Sequence, residues 1–76
     1  MGSVHVVFIE RKERINDQPN LNSLFGVEMD PSNIPVVGDT VSWDDVYWKV
    51  VKRQLQLYKG GSINRWAILL EKQHNE

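Results

Sequence analysis

The chain has 76 residues, 41% hydrophobic and 25% charged, with nine Lys and Arg against ten Asp and Glu. That length limits it to one domain with one small core, and the composition is that of a folded chain rather than a disordered one. The absence of cysteine excludes a disulfide framework and a thiolate zinc site, and a net charge of −1 argues against binding polyanions by bulk charge. No apolar run approaches the ~20 residues that a membrane helix needs, and no charged and apolar leader opens the chain. The expectation is a cytoplasmic domain over 1–72 with a polar, disordered tail at 73–76.

Val4 to Arg11 is dense in β-branched and aromatic residues and apolar on both faces at its middle, which predicts a central strand. Lys12 to Asn20 is polar and ends in residues suited to turns, so a loop is expected. Leu21 to Met29 divides into a short helical turn near 20–25 and a short strand in which Gly26 marks a bulge. Asp30-Pro31-Ser32-Asn33 has the order of a type I turn, with proline presetting the φ of its second position.

From Val36 onward the alternation sharpens. With Asp44-Asp45 as a two-residue loop, Trp43 faces Val46 and Val41 faces Trp48, and four large apolar side chains share one face. Trp43, Val46, Tyr47, Val50, Val51 and Leu55 also fit a helical spacing. The β-branched and aromatic run from Val46 to Val51 favours a strand, because such residues lose side-chain freedom in a helix.

Gly60-Gly61 signals a second hairpin, which would pair Leu57 with Asn64, Leu55 with Trp66, Arg53 with Ile68 and Val51 with Leu70. The first hairpin buries Trp48 and Val50 and the second buries Leu55 and Leu57. The parity therefore changes, and a bulge within Val51 to Arg53 is expected to produce the switch and bend the strand. Trp43, Trp48 and Trp66 are the expected core.

Charge is segregated along the chain. Six acidic residues (Asp17, Glu28, Asp30, Asp39, Asp44 and Asp45) and no basic ones lie between Ile15 and Trp48, whereas Lys49 to Lys72 holds six basic residues against Glu71 alone. The simpler expectation is that the two stretches pair in the fold; the sharper one is an acidic edge beside a basic face that orients a partner.

The segment Pro35-Val-Val-Gly-Asp-Thr-Val41, followed by Trp48-x-Val50 and Arg53, resembles small SH3-like β-barrel proteins, short bacterial or phage-associated chains among them. The resemblance implies an all-β, partly open barrel of five strands, read here as an antiparallel meander, and it carries over no catalytic residue.

Catalytic chemistry is thinly represented. The two histidines, His5 and His74, sit in a strand and a polar tail, Gly60-Gly61 lacks the residues of a phosphate loop, and neither Glu28 with Asp30 nor Asp44 with Asp45 has the spacing of a calcium loop. No catalytic residue, metal site or cofactor is expected. The expected function is a non-enzymatic interaction module that binds a protein or a second copy through an open sheet edge and exposed aromatics. The alternative is binding of single-stranded RNA or DNA, and Tyr47, Lys49, Lys52, Arg53, Tyr58 and Arg65 are the candidate contact residues for a protein partner or a nucleic acid.

Overall fold

The computed structural model describes residues 2–73. It is all-β: strands β1 (Val4–Ile15), β2 (Gln18–Met29), β3 (Thr40–Trp43), β4 (Val46–Leu57) and β5 (Ile63–Lys72), with one 3-10 turn over Pro31–Asn33. The five strands form one sheet in the order β2-β1-β5-β4-β3, curled into a half-barrel.

The order corrects the antiparallel meander. β1 runs parallel to β5, from Val6 opposite Trp66 to Glu10 opposite Leu70. A meander would leave β1 at an edge, whereas its middle is apolar on both faces; seated between β2 and β5, it covers both of its flanks. Its central position is the one expected.

The helical turn near 20–25 is absent, because that segment lies inside β2 and pairs with β1, Leu21 opposite Arg11 and Phe25 opposite Phe8. The polar stretch from Lys12 is likewise mostly strand. It reverses at Asn16-Asp17, whose φ angles of 53° and 62° are those of a type I′ turn. The bulge expected at Gly26 falls instead at Leu24, where the register shifts between the pairs Phe8–Phe25 and Ile9–Ser23. Asp30 reverses the chain as expected: its carboxylate accepts from the Ser32 N–H at 2.9 Å and the Ser32 hydroxyl at 2.7 Å.

The first C-terminal hairpin has the expected register, Trp43 opposite Val46 and Val41 opposite Trp48, around Asp44 and Asp45 at φ 54° and 60°. The strand reading of 43–58 therefore holds over the helical one. β4 carries its bulge at Val51, between the pairs Val50–Leu70 and Lys52–Leu69, where the change of parity requires it. Leu55–Trp66 and Arg53–Ile68 are paired as expected; the bulge gives Leu70 to Val50 instead of Val51, and Leu57 meets Ile63 rather than Asn64. The loop is longer than Gly60-Gly61 alone, with Gly61 N–H donating to the Tyr58 carbonyl and Tyr58 N–H to the Ser62 carbonyl, both at 2.9 Å. Gly61 takes φ 93°, which a side chain would resist.

The inner face of the half-barrel holds the core: Val6, Phe8, Ile34, Trp48, Val50, Ile68 and Leu70. Complete burial of such side chains contributes about 1.5–3 kcal/mol each. Phe8, Phe25, Trp43 and Trp48 form a ladder of rings across it, with successive centroids 4.7, 4.8 and 6.3 Å apart. Trp48 is buried as expected, but Trp43 and Trp66 are only half-buried at the rim. Leu55 and Leu57, expected inside, are 41% and 52% exposed. They share the inner face with Ile68, but the core cluster ends at Trp66, with Leu55 opposite that half-buried ring and Leu57 beyond it.

Of the expected tail, Gln73 is tied to the sheet by its N–H, which donates to the Tyr47 carbonyl at 2.8 Å. His74 and residues 75–76 lie outside the described residues.

Candidate functional site

Strand alternation gives the sheet a second, outer face. In β1 it carries Val7, Ile9 and Arg11; in β5 it carries Arg65, Ala67, Leu69 and Glu71; in β4 beyond the bulge it carries Lys52, Gln54 and Gln56. Ala67 is buried here and Val7, Ile9 and Leu69 are half-buried, so the sheet is apolar at the centre of both faces.

A groove of about 590 Å³ crosses this outer face. Ile9, Ala67 and Leu69 supply its aliphatic surface, joined by Leu21 of β2. Arg11, Lys12 and Lys52 line it as well, with the amides of Asn20, Gln54 and Gln56 between them. Its lining has three cations and no carboxylate. Glu71 lies alongside and binds Arg11, whose Nε donates to Glu71 Oε2 at 3.0 Å and whose terminal nitrogen pairs with the same oxygen. Gln56 Oε1 accepts from Arg65 Nε at 2.5 Å, which holds those two side chains together across β4 and β5. Lys12 and Lys52 form no ion pair among the described residues.

The residues singled out in the sequence are only partly brought together. Tyr47, Lys49, Lys52 and Arg65 are exposed on the outer face, but only Lys52 lines the groove. Tyr58 sits in the β4–β5 loop. Arg53 departs from the expected contact face: paired with Ile68 as expected, it lies on the inner side, its guanidinium carbon 4.5 Å from the centre of the Trp66 ring. Strand alternation puts the adjacent Lys52 and Arg53 on opposite faces, and the bulge at Val51 turns Lys52 outward and Arg53 inward. Its Nε is buried without a hydrogen-bond partner.

Single-stranded nucleic acid needs exposed rings on which bases stack. Phe8, Phe25, Trp43 and Trp48 stack on the inner face, and Tyr47 and Tyr58 are exposed but stand outside the groove, which is lined by aliphatic, amide and cationic side chains. Arg11, Lys12 and Ile9 were missed as site residues because the sequence reads them as core strand and loop. Alternation of Val7, Ile9 and Arg11 was the available signal, but it points to a groove only once β5 is known to lie beside β1.

The expected pairing of the acidic and basic stretches does not occur. Among the described residues the ion pairs are Arg11–Glu71 and His5–Glu28, the latter with Nδ1 2.6 Å from Oε2. Asp17, Asp30, Asp39, Asp44 and Asp45 form none. Ser32, first through its hydroxyl and then through its backbone N–H, holds the Asp30 carboxyl below its ordinary pKa.

The other edge of interest is β2. It closes the sheet on one side, pairs only with β1, and runs for 12 residues with Glu28 as its one charged side chain. Among the described residues no three His, Asp or Glu side chains are placed to hold a metal ion, and no helix is long and apolar enough to cross a membrane. Compared with known proteins, the chain matches no family model, no curated protein and no solved structure.

Proposed function

We propose that the chain is a non-enzymatic, cytoplasmic interaction module of SH3-like half-barrel type that binds protein by extending its sheet at β2. The observation that carries the reading is the length and character of that edge. A strand of 12 residues with one charged side chain, itself engaged by His5, leaves a row of backbone donors and acceptors facing away from β1. Natural edge strands are ordinarily shortened, charged, bulged or covered, because an open one pairs with another chain; β2 carries one bulge, at Leu24, with regular pairing on either side of it. Pro19 removes one donor near the hairpin end, and beyond it no proline interrupts the strand. An added strand would gain main-chain hydrogen bonds along β2 and contacts with Leu21 and Val27, both exposed.

The test uses extended peptides of about 12 residues selected from a random display library, long enough to span a strand of this size. Selected peptides are expected to protect the outward amides of β2 from hydrogen exchange. Of Asn22→Pro and Ser23→Pro, one removes a donor to β1 and the other an outward donor; the variant that keeps the fold is expected to lose peptide binding. Protection confined to another strand, or binding unchanged in that variant, overturns the reading.

A further inference from the structure

The segregation of charge in the sequence is not neutralised within the fold. The groove on the outer face presents Lys12 and Lys52 beside aliphatic side chains, and neither lysine meets a carboxylate among the described residues. Elsewhere the chain has a surface of the opposite character. Val36 and Val37 are 47% and 60% exposed, Asp39 follows them, and Asp44 and Asp45 stand at the other end of β3.

This acidic corner, which β3 spans, is held in shape at its Val36–Asp39 end. Asp39 N–H donates to the Val36 carbonyl and Val36 N–H to Asp39 Oδ2, both at 2.9 Å, around Gly38 at φ 99°. Gly38 N–H donates to the Val50 carbonyl at 3.0 Å and Val50 N–H to the Asp39 carbonyl at 2.9 Å, which fastens the loop to β4. A surface fixed in this way loses little conformational entropy when it docks.

We propose that the acidic corner of one copy of this chain docks in the outer-face groove of a second copy. Val36 and Val37 meet Ile9 and Leu69, and the carboxylates of Asp39, Asp44 and Asp45 face Lys12 and Lys52. Aliphatic matches aliphatic and anion matches cation, the complementarity that fixes partner and register. The two surfaces lie on different parts of one chain, so a two-fold pair makes the contact twice. The contact is separate from the β2 edge. Nucleic acid is a poorer occupant, because the groove offers no ring for stacking and the acidic corner repels phosphate.

The experiment is sedimentation velocity of the full chain across concentrations at about 20 and about 500 mM salt, which brackets the range over which exposed charges are screened. The wild type is expected to associate at low salt and to do so about tenfold more weakly at high salt, in keeping with a contact steered by exposed charge. Lys52→Glu and Val37→Lys, both at exposed positions, are each expected to sediment as monomers with unchanged circular dichroism. An equimolar mixture of the two is expected to associate again, because the native corner of the Lys52→Glu copy meets the native groove of the Val37→Lys copy. A wild type that stays monomeric, or a mixture that fails to associate, overturns the proposal. Association that neither variant disturbs places the contact elsewhere, β2 included, and overturns it too, as does capture of labelled oligothymidylate by the groove that is lost in Lys52→Glu.

Discussion

Phe25 and Trp43 stack with their ring centres 4.8 Å apart and their planes inclined by 28°, although β2 and β3, which carry them, are the opposite edges of the sheet. No backbone ladder joins those strands, so side chains hold the half-barrel curled. Phe8 and Trp48 extend the stack on either side, which ties ring packing to the curvature of the sheet. An aromatic pair contributes about 0.5–1.5 kcal/mol beyond area burial. A double-mutant cycle on Phe25→Leu and Trp43→Leu, followed by urea unfolding, is expected to give a coupling in that range. Zero coupling would mean that the two edges are held by other means.

The three tryptophans separate by position. Trp48 is 5% exposed within the core, and its indole N–H lies 3.4 Å from the Trp43 carbonyl. Trp48→Ala is expected to cost about 3–5 kcal/mol, enough to unfold much of so small a domain. Trp43→Ala and Trp66→Ala remove rim residues and are expected to cost roughly half as much, since less surface returns to water. Chemical denaturation of the three variants side by side checks the order. Equal costs would place all three rings in the core.

How much of this was legible in the sequence depended on the range of the interaction. The Trp43–Val46 hairpin follows from alternation about a two-residue turn, and the bulge at Val51 follows from the conflict of parity between two hairpins; both are local relations. The pairing of β1 with β5 brings Val6 beside Trp66, sixty positions along the chain, and no local pattern encodes it. The groove is hidden for the same reason, since Ile9 meets Leu69 only through that pairing. Lys12 to Asn20 reads as a loop because its polar residues have weak strand propensity, which pairing with the rest of β1 and β2 overrides. The exposure of Leu55 and Leu57 was missed because parity gives the face but not where the core ends.

Arg53 lies in an awkward position. Its guanidinium sits over the Trp66 ring, a contact that contributes about 0.5–1 kcal/mol at a partly exposed site. Its Nε is buried without a partner, which costs a comparable amount or more. Arg53→Leu keeps an apolar stem beside Trp66 and removes the orphaned donor, so its stability is expected to stay within about 1 kcal/mol of wild type. Loss of more than about 2 kcal/mol in urea unfolding would show that the guanidinium is satisfied.

Asp44 and Asp45 both adopt left-handed backbone conformations to close the β3–β4 turn. Asn-Gly is the sequence such turns favour, and glycine at the second position relieves the strain a side chain meets there. Asp44→Asn with Asp45→Gly is expected to raise stability by about 0.5–1.5 kcal/mol while removing two charges from the acidic corner. Thermal unfolding reads the first effect. An unchanged or lower melting temperature would mean that the aspartates make compensating contacts.

Asp30 gives the acid limb of stability a local origin. Its carboxylate accepts from the Ser32 hydroxyl and N–H, and those bonds lower its pKa in the folded chain relative to the unfolded one. A carboxyl whose folded pKa is depressed contributes stability that is present above the unfolded value and is lost as pH falls through the folded one. The difference in stability between wild type and Asp30→Ala is therefore expected to be largest above about pH 5 and to shrink steadily below about pH 4, where unfolded aspartates protonate. Urea midpoints of both proteins across that range measure it. A difference that stays constant with pH would assign the effect of the substitution to the backbone of the Pro31–Asn33 turn and not to the charge of the carboxylate.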